Sequence, residues 1–228
     1  MTYARYAIFH LPATARWSDW ATAWLGWDAA RGLTCAHPAL DLPVAGITET
    51  PRRYGLHATM KAPFALAPDR TEAELDAAFA AFCAACAPTP IGTLTLSRLG
   101  RFLALTPKVR DPALITLAAQ LVRALDPFRA PLTEAERIRR AGPGLRGALQ
   151  DNLDRWGYAH VMDAFRYHIT LTGRLDPVLR AAAEQALETH LVPLLPDWHE
   201  LGALSLMGED AQGRFHALAT HRLTGPVA

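Results

Sequence analysis

At 228 residues, half of them hydrophobic and 20% charged, the chain is long and apolar enough to bury a large core, which excludes a disordered or fibrous protein. A formal charge of +1 creates no overall field for long nucleic acid and leaves a small anionic ligand open. No apolar run approaches the roughly 18–20 residues that cross a bilayer, and MTYARYAIFHLP lacks the length and cleavage site of a signal peptide, so a cytoplasmic protein with no membrane partner is expected.

The first strand is predicted in RYAIFHL, with Tyr6 facing either core or cleft. Trp17, Trp20, Trp24 and Trp27 recur at three- and four-residue intervals, a helical stripe that predicts packing in preference to base stacking. A loop with scattered Pro and Gly runs on to Thr50, and a strand carrying His57-Ala58-Thr59 follows. PDRTEAELDAAFAAFCAACAP reads as a helix capped by Asp69 or Thr71, with Leu75, Phe79 and Phe82 on one side. Cys35, Cys83 and Cys86 make no disulfide framework. Cys83 and Cys86 have redox spacing but sit late in that helix, away from an N-terminus that would lower a thiol pKa, so they are read as buried small residues.

Strands are predicted around IGTLTLSRL and RFLALTP, then a helix in DPALITLAAQLVRALDPF. The next stretch, APLTEAERIRRAGPGLRGALQDNLDRWGYAHVMDAF, is the least regular and most basic. Its Arg137, Arg139, Arg140 and Arg146 surround Ala141-Gly142-Pro143-Gly144. They form either a loop that folds over an anion or a solvated helix end whose arginines pair with Glu134, Glu136, Asp151 and Asp154. A strand with His168-Ile169-Thr170 comes next. A helix opened by Asp176-Pro177 follows, then GALSLMGEDAQGRFHALATHRL as two strands around a Gly/Asp-rich turn.

The order motif strand, helix, hairpin thus occurs twice. It predicts an α+β fold within one bilobal domain, residues 1–228: a first lobe at 1–128, an arginine-rich insertion at 129–155 and a second lobe at 156–228. Of the nine histidines, only His57 and His168 have a hydroxyl residue two positions later. Alternation along a strand puts His57, Thr59 and Lys61 on one face, and Arg166, His168, Thr170 and Thr172 on one face of the other. Two imidazoles across a pocket suit general acid–base catalysis. Thr59 and Thr170 would donate to the non-bridging oxygens of a phosphodiester, and Lys61 would add charge. Arg53 and Tyr54 either bind substrate phosphate or pack the lobes. No H-x-x-x-H, H-x-H or carboxylate-flanked spacing announces a metal, so neither metal nor cofactor is expected.

The segments RRYGLHATMKAPF and FRYHITLTGRL resemble the paired H-x-T strands of the 2H phosphoesterase superfamily. The flanking Arg53-Tyr54-Gly55, Lys61-Ala62-Pro63-Phe64 and Trp156-Gly157-Tyr158 look like a bacterial branch associated with phosphonate metabolism operons. That resemblance implies a duplicated two-lobed architecture, antiparallel sheets facing a central cleft with helices outside. It also implies metal-independent hydrolysis of a small cyclic phosphodiester, with His57 and His168 catalytic and Thr59 and Thr170 holding the phosphate. A ribose cyclic phosphate from phosphonate breakdown, the cyclic phosphate of a phosphorylated ribose, is the substrate that resemblance implies. The alternatives are a 2′,3′-cyclic phosphodiesterase acting on RNA ends and a phosphate-ligand-binding protein without catalysis.

Overall fold

A computed structural model describes residues 3–142 and 144–226, leaving Pro143 of the arginine-rich loop outside the described residues. β1 (Tyr6–His10) leads into helix α1 (Arg16–Leu25), the ribbon β2 (Trp27–Asp28) and β3 (Leu33–Thr34), and two single-turn helices, α2 (Val44–Ile47) and α3 (Glu49–Arg52). The first motif heads β4 (Ala58–Phe64). Helix α4 (Glu72–Ala85), β5 (Thr89–Gly92), the hairpin β6 (Leu94–Leu99) and β7 (Phe102–Pro107), and helix α5 (Pro112–Ala124) follow. The arginine-rich stretch is more regular than expected: it holds helices α6 (Glu134–Ala141) and α7 (Ala148–Trp156). The chain closes with β8 (Ile169–Thr170), α8 (Pro177–His190), β9 (His199–Leu201), β10 (Ala203–Glu209) and β11 (Phe215–Arg222).

Local chemistry starts the long helices. Thr71 and Glu74 form a reciprocal capping box on α4, Thr133 and Glu136 form another on α6, and Asp176 accepts from two backbone amides ahead of Pro177 on α8. Cys83 is buried on α4, and burial pushes its thiol up to about 12. The tryptophans pack: Trp17, Trp24 and Trp27 are buried, and Trp20 stacks on Trp24 with ring centroids 5.6 Å apart. Trp24 Nε1 donates to the carbonyl of Leu171 at 2.9 Å, tying α1 to the second motif strand.

Seven strands form one antiparallel sheet in the order β11-β10-β1-β4-β8-β7-β6. The fold is α+β, as expected, but sequence-contiguous lobes are not what it builds. The β10–β11 hairpin that follows the second motif pairs with β1, on the first motif's side, and β7 of the first repeat pairs with β8. The halves 1–128 and 156–228 therefore exchange hairpins. The reason is edge satisfaction: β1 and β8 each have one edge left over after pairing with β4, and each free edge is closed by the other repeat's hairpin. The two motif strands meet at the centre of the sheet through a single pair, Ala58 opposite Ile169.

One face of the sheet carries the main core: Ile8, Ala58, Phe64, Ile169 and Leu206 pack against Leu75 and Phe79 of α4 and Leu117 and Leu121 of α5. Tyr6 joins this core, 7% exposed, with its hydroxyl donating to Glu72 at 2.9 Å, so of its two expected places it takes the core. On the opposite face lies a smaller cluster of Phe9, Trp27, Met207 and Phe215, and Tyr54, packed on it, lines the pocket described next. Among the described residues, no helix is long and apolar enough to cross a membrane.

Candidate active site

Because Ala58 and Ile169 are opposite one another and fully buried, their neighbours on both strands point to the other face of the sheet. Continuing the register by one residue in each direction sets His57 opposite Thr170 and Thr59 opposite His168. Directly opposed side chains in an antiparallel pair lie about 5 Å apart at Cβ. The contact formed is within the first motif, where the Thr59 hydroxyl reaches the His57 ring. His57, Thr59, Thr170 and Tyr54 line one pocket of about 450 Å³. His168 lines a second cavity of about 300 Å³, together with Arg110, Phe165 and Tyr167. Phe102, 6.3 Å from the His168 ring, belongs to the wall of the larger pocket.

Both imidazoles are anchored alike. His57 Nδ1 is 3.0 Å from the carbonyl of Gly55, and His168 Nδ1 is 2.8 Å from the carbonyl of Arg166. A carbonyl only accepts, so Nδ1 carries the proton in each and the neutral ring presents an Nε2 lone pair. At His57 that lone pair accepts from the Thr59 hydroxyl at 3.1 Å. Phe9 and Tyr54 flank the His57 ring at centroid distances of 4.1 and 5.4 Å, Tyr54 nearly parallel to it. Burial lowers the His57 pKa to about 4 against the opposing pull of the Gly55 carbonyl, and the charge of His168 lowers it further. The imidazole is thus neutral at physiological pH. Gly55 serves this anchor through its backbone: its φ is +71°, and a Cβ there would sit 2.8 Å from the Cβ of Ala29.

Two expected site residues lie elsewhere. Simple alternation places Lys61 on the face of His57, but β4 bulges. Thr59 pairs with Phe9 and Lys61 with Ile8, so two steps along β4 match one along β1 and Lys61 turns to the core face. There it is 3% exposed, with Nζ 3.3 Å from the Val122 carbonyl and 3.8 Å from Asp126, and burial lowers its pKa to about 8. Ala62 takes the pocket position instead. Arg53 follows the last turn of α3 and is exposed to solvent, its carbonyl accepting from the Phe215 amide; only its neighbour Tyr54 reaches the pocket. The pocket also recruits residues that the motif did not mark: Arg5 from just ahead of β1, Tyr158 after α7, and Arg174 after β8. Tyr158 and Arg174 sit within or beside the flanking words of the motifs. Arg5 carries no local signal.

Residues 59–216 match the family described as "Protein of unknown function (DUF1045)". The chain belongs to the DUF1045 family. The match takes in His168, both threonines and the arginine-rich stretch, and begins two residues after His57. The DUF1045 chain is 34% identical over 232 residues to a protein of Janthinobacterium sp. (strain Marseille) named "Ribose 1,5-bisphosphate phosphokinase PhnN", covering 92% of this chain and 48% of that protein. It is 35% identical over 176 residues to a protein of the same name from Laribacter hongkongensis (strain HLHK9), covering 76% and 41%. It thus spans less than half the length of these curated relatives. Among solved structures, E. coli LigT complexed with NADP+ aligns over 98% of this chain and 99% of its own at 14% identity and a TM-score of 0.47. TT0787 of Thermus thermophilus aligns over 98% and 100% at 15% identity and a TM-score of 0.46.

The placement of Lys61 has a direct consequence for this DUF1045 protein. Lys61→Met exchanges a buried ammonium for an apolar side chain of similar length, while Asp126 keeps its 2.9 Å pair with Arg129. The variant should retain activity within about threefold and melt at or above the wild-type temperature, because a buried ion pair seldom outweighs its desolvation. Loss of activity in a folded Lys61→Met protein would return Lys61 to the site.

Proposed function

We propose that this chain hydrolyses a small cyclic phosphodiester by two-histidine acid–base catalysis. The observation that carries the proposal is the interleaving of the two H-x-T motifs, with both imidazoles anchored through Nδ1 and the Thr59 hydroxyl at the His57 ring. Thr59 and Thr170 donate to the non-bridging oxygens of the bound phosphate. His57, neutral and with Nε2 free to accept once a ligand draws Thr59 away, takes a proton from water as the water oxygen bonds to phosphorus. His168, partly exposed and entering the reaction as the imidazolium with both ring nitrogens protonated, gives its Nε2 proton to the ring oxygen whose bond to phosphorus breaks. One water is consumed, the ring opens to a phosphomonoester and a hydroxyl, and the two protons re-equilibrate through solvent.

A ribose cyclic phosphate is the substrate class that fits best. A pocket of about 450 Å³ suits a sugar phosphate, since small-ligand sites span roughly 300–1,000 Å³. The named activity of the curated relatives, phosphorylation of ribose 1,5-bisphosphate, supports ribose phosphate chemistry in the same setting. The test is hydrolysis, followed by phosphorus NMR with EDTA present, of ribose cyclic phosphates, nucleoside 2′,3′-cyclic phosphates and short RNAs ending in a cyclic phosphate. Turnover of the sugar phosphate is expected. Preference for RNA ends would transfer the assignment to them, and a folded protein that turns over nothing would make it a binding protein.

A further inference from the structure

We infer that the pocket contains a second anion subsite, centred on Arg140, which holds a phosphomonoester that is not the one being cleaved. The substrate is then a cyclic phosphodiester bearing a separate terminal phosphate. The inference rests on the cyclic phosphodiesterase reading and adds a specificity determinant to it.

The arginine-rich stretch contributes its cations unequally. Arg137 turns outward to Glu134 and Asp154. Arg139 and Arg140, at the end of α6, line the pocket. Arg140 is the better fixed: its two terminal nitrogens donate to the carbonyls of Gly157 at 2.6 Å and Pro63 at 2.7 Å. Those contacts hold the guanidinium without neutralising it, and Arg140 forms no ion pair among the described residues. Arg139 reaches only a marginal 4.0 Å pair with Glu136. Arg5, on the same pocket wall, is close enough for its charge to act on Arg140, although Arg5 is itself paired through two bonds with Glu209. Partial burial lowers the Arg140 pKa, and the like charge of Arg5 adds to that. A half-buried guanidinium without a counter-ion, beside a second guanidinium, is a standing demand for an anion. The hydroxyl-bearing rings of Tyr54 and Tyr158 line the same pocket.

The scissile phosphate does not meet this demand. Its oxygens are already served by Thr59, Thr170 and the two imidazoles on the sheet face, whereas Arg139 and Arg140 belong to α6, an element outside the sheet. A phosphomonoester carries nearly two charges and three acceptor oxygens, matching the fork geometry of arginine.

The experiment compares two ligands that differ only in the terminal group, ribose 1,2-cyclic phosphate with and without a 5-phosphate. Binding is measured by calorimetry to a His57→Ala protein and to the same protein carrying Arg140→Met. The 5-phosphate should tighten binding about 10- to 100-fold, and Arg140→Met should erase most of that gain, as expected for a charge-assisted hydrogen-bonded contact. Equal affinity for both ligands would overturn the inference. So would an Arg140→Met protein that weakens both equally, which marks a structural role through Gly157 and Pro63. An Arg139→Met protein serves as a second variant should Arg140→Met fail to fold: a preference for the 5-phosphate that it leaves at full strength counts against the α6 arginines. Turnover of either ligand by the wild-type protein is scored separately. Its absence, with the nucleoside and RNA cyclic phosphates also left intact, would sink the cyclic phosphodiesterase reading, while the binding arms still decide the subsite.

Discussion

Replacing His57 or His168 by alanine is expected to lower kcat/KM for the cyclic phosphodiester by about 10²–10⁴-fold, the usual range for losing a positioned acid or base. Each substitution removes one imidazole and leaves the sheet pairing at Ala58 and Ile169 untouched. His57→Ala also leaves a gap between the Phe9 and Tyr54 rings, so His57→Asn is the gentler companion, with circular dichroism reporting the fold of all three proteins. The pH profile separates the roles. The base must be neutral, so the acid side of kcat/KM falls only as pH drops through about 4, the value to which burial depresses His57. His168→Ala, which leaves His57 in place, should lower the rate while keeping that acid side unchanged. Turnover within threefold of wild type in a folded variant of either histidine would end the two-histidine mechanism.

Acid should destabilise the protein before it unfolds by general carboxylate protonation. His10 is 6% exposed, its Nδ1 is 2.6 Å from the Tyr167 hydroxyl, and burial, with a contribution from His199, lowers its pKa to about 4. His57 is depressed to a similar value, chiefly by burial. In the unfolded chain both titrate near 6.5. Between those values the unfolded state binds more protons than the folded one, so stability is fully present above about pH 6.5 and is lost as pH falls through about 4. Burial of His10 alone corresponds to about 3 kcal/mol over that window; His57, open to the water of the pocket, adds a smaller share. The measurement is the urea midpoint at about pH 7 and about pH 4.5 for the wild type and for the double variant His10→Leu, Tyr167→Phe, which removes both partners of the buried bond together. The double variant should lose clearly less stability on acidification. An unchanged pH dependence would mean that His10 is not held neutral by the fold.

What the amino-acid sequence by itself determined was whatever depends on a few adjacent residues. Alternation in a strand follows from covalent geometry, and it brings the Thr59 hydroxyl to the His57 ring two residues away. Capping chemistry marked Thr71 and Asp176 as helix starts, and helical spacing put Trp17 and Trp24 in the core. The tertiary structure decided whatever depends on which strand edges meet. The bulge opposite β1 is a property of the β1–β4 pairing, and it reverses the face of Lys61 although the residues around it alternate as before. The exchange of hairpins between the repeats follows from free edges on β1 and β8, which no single segment carries. The same holds for charge: four arginines in one basic stretch look equivalent along the chain, and only the packing of α6 against the pocket separates Arg140 from Arg137. Hydrogen bonds between distant backbone groups, not local preferences, set these choices, and they are made when the chain closes on itself.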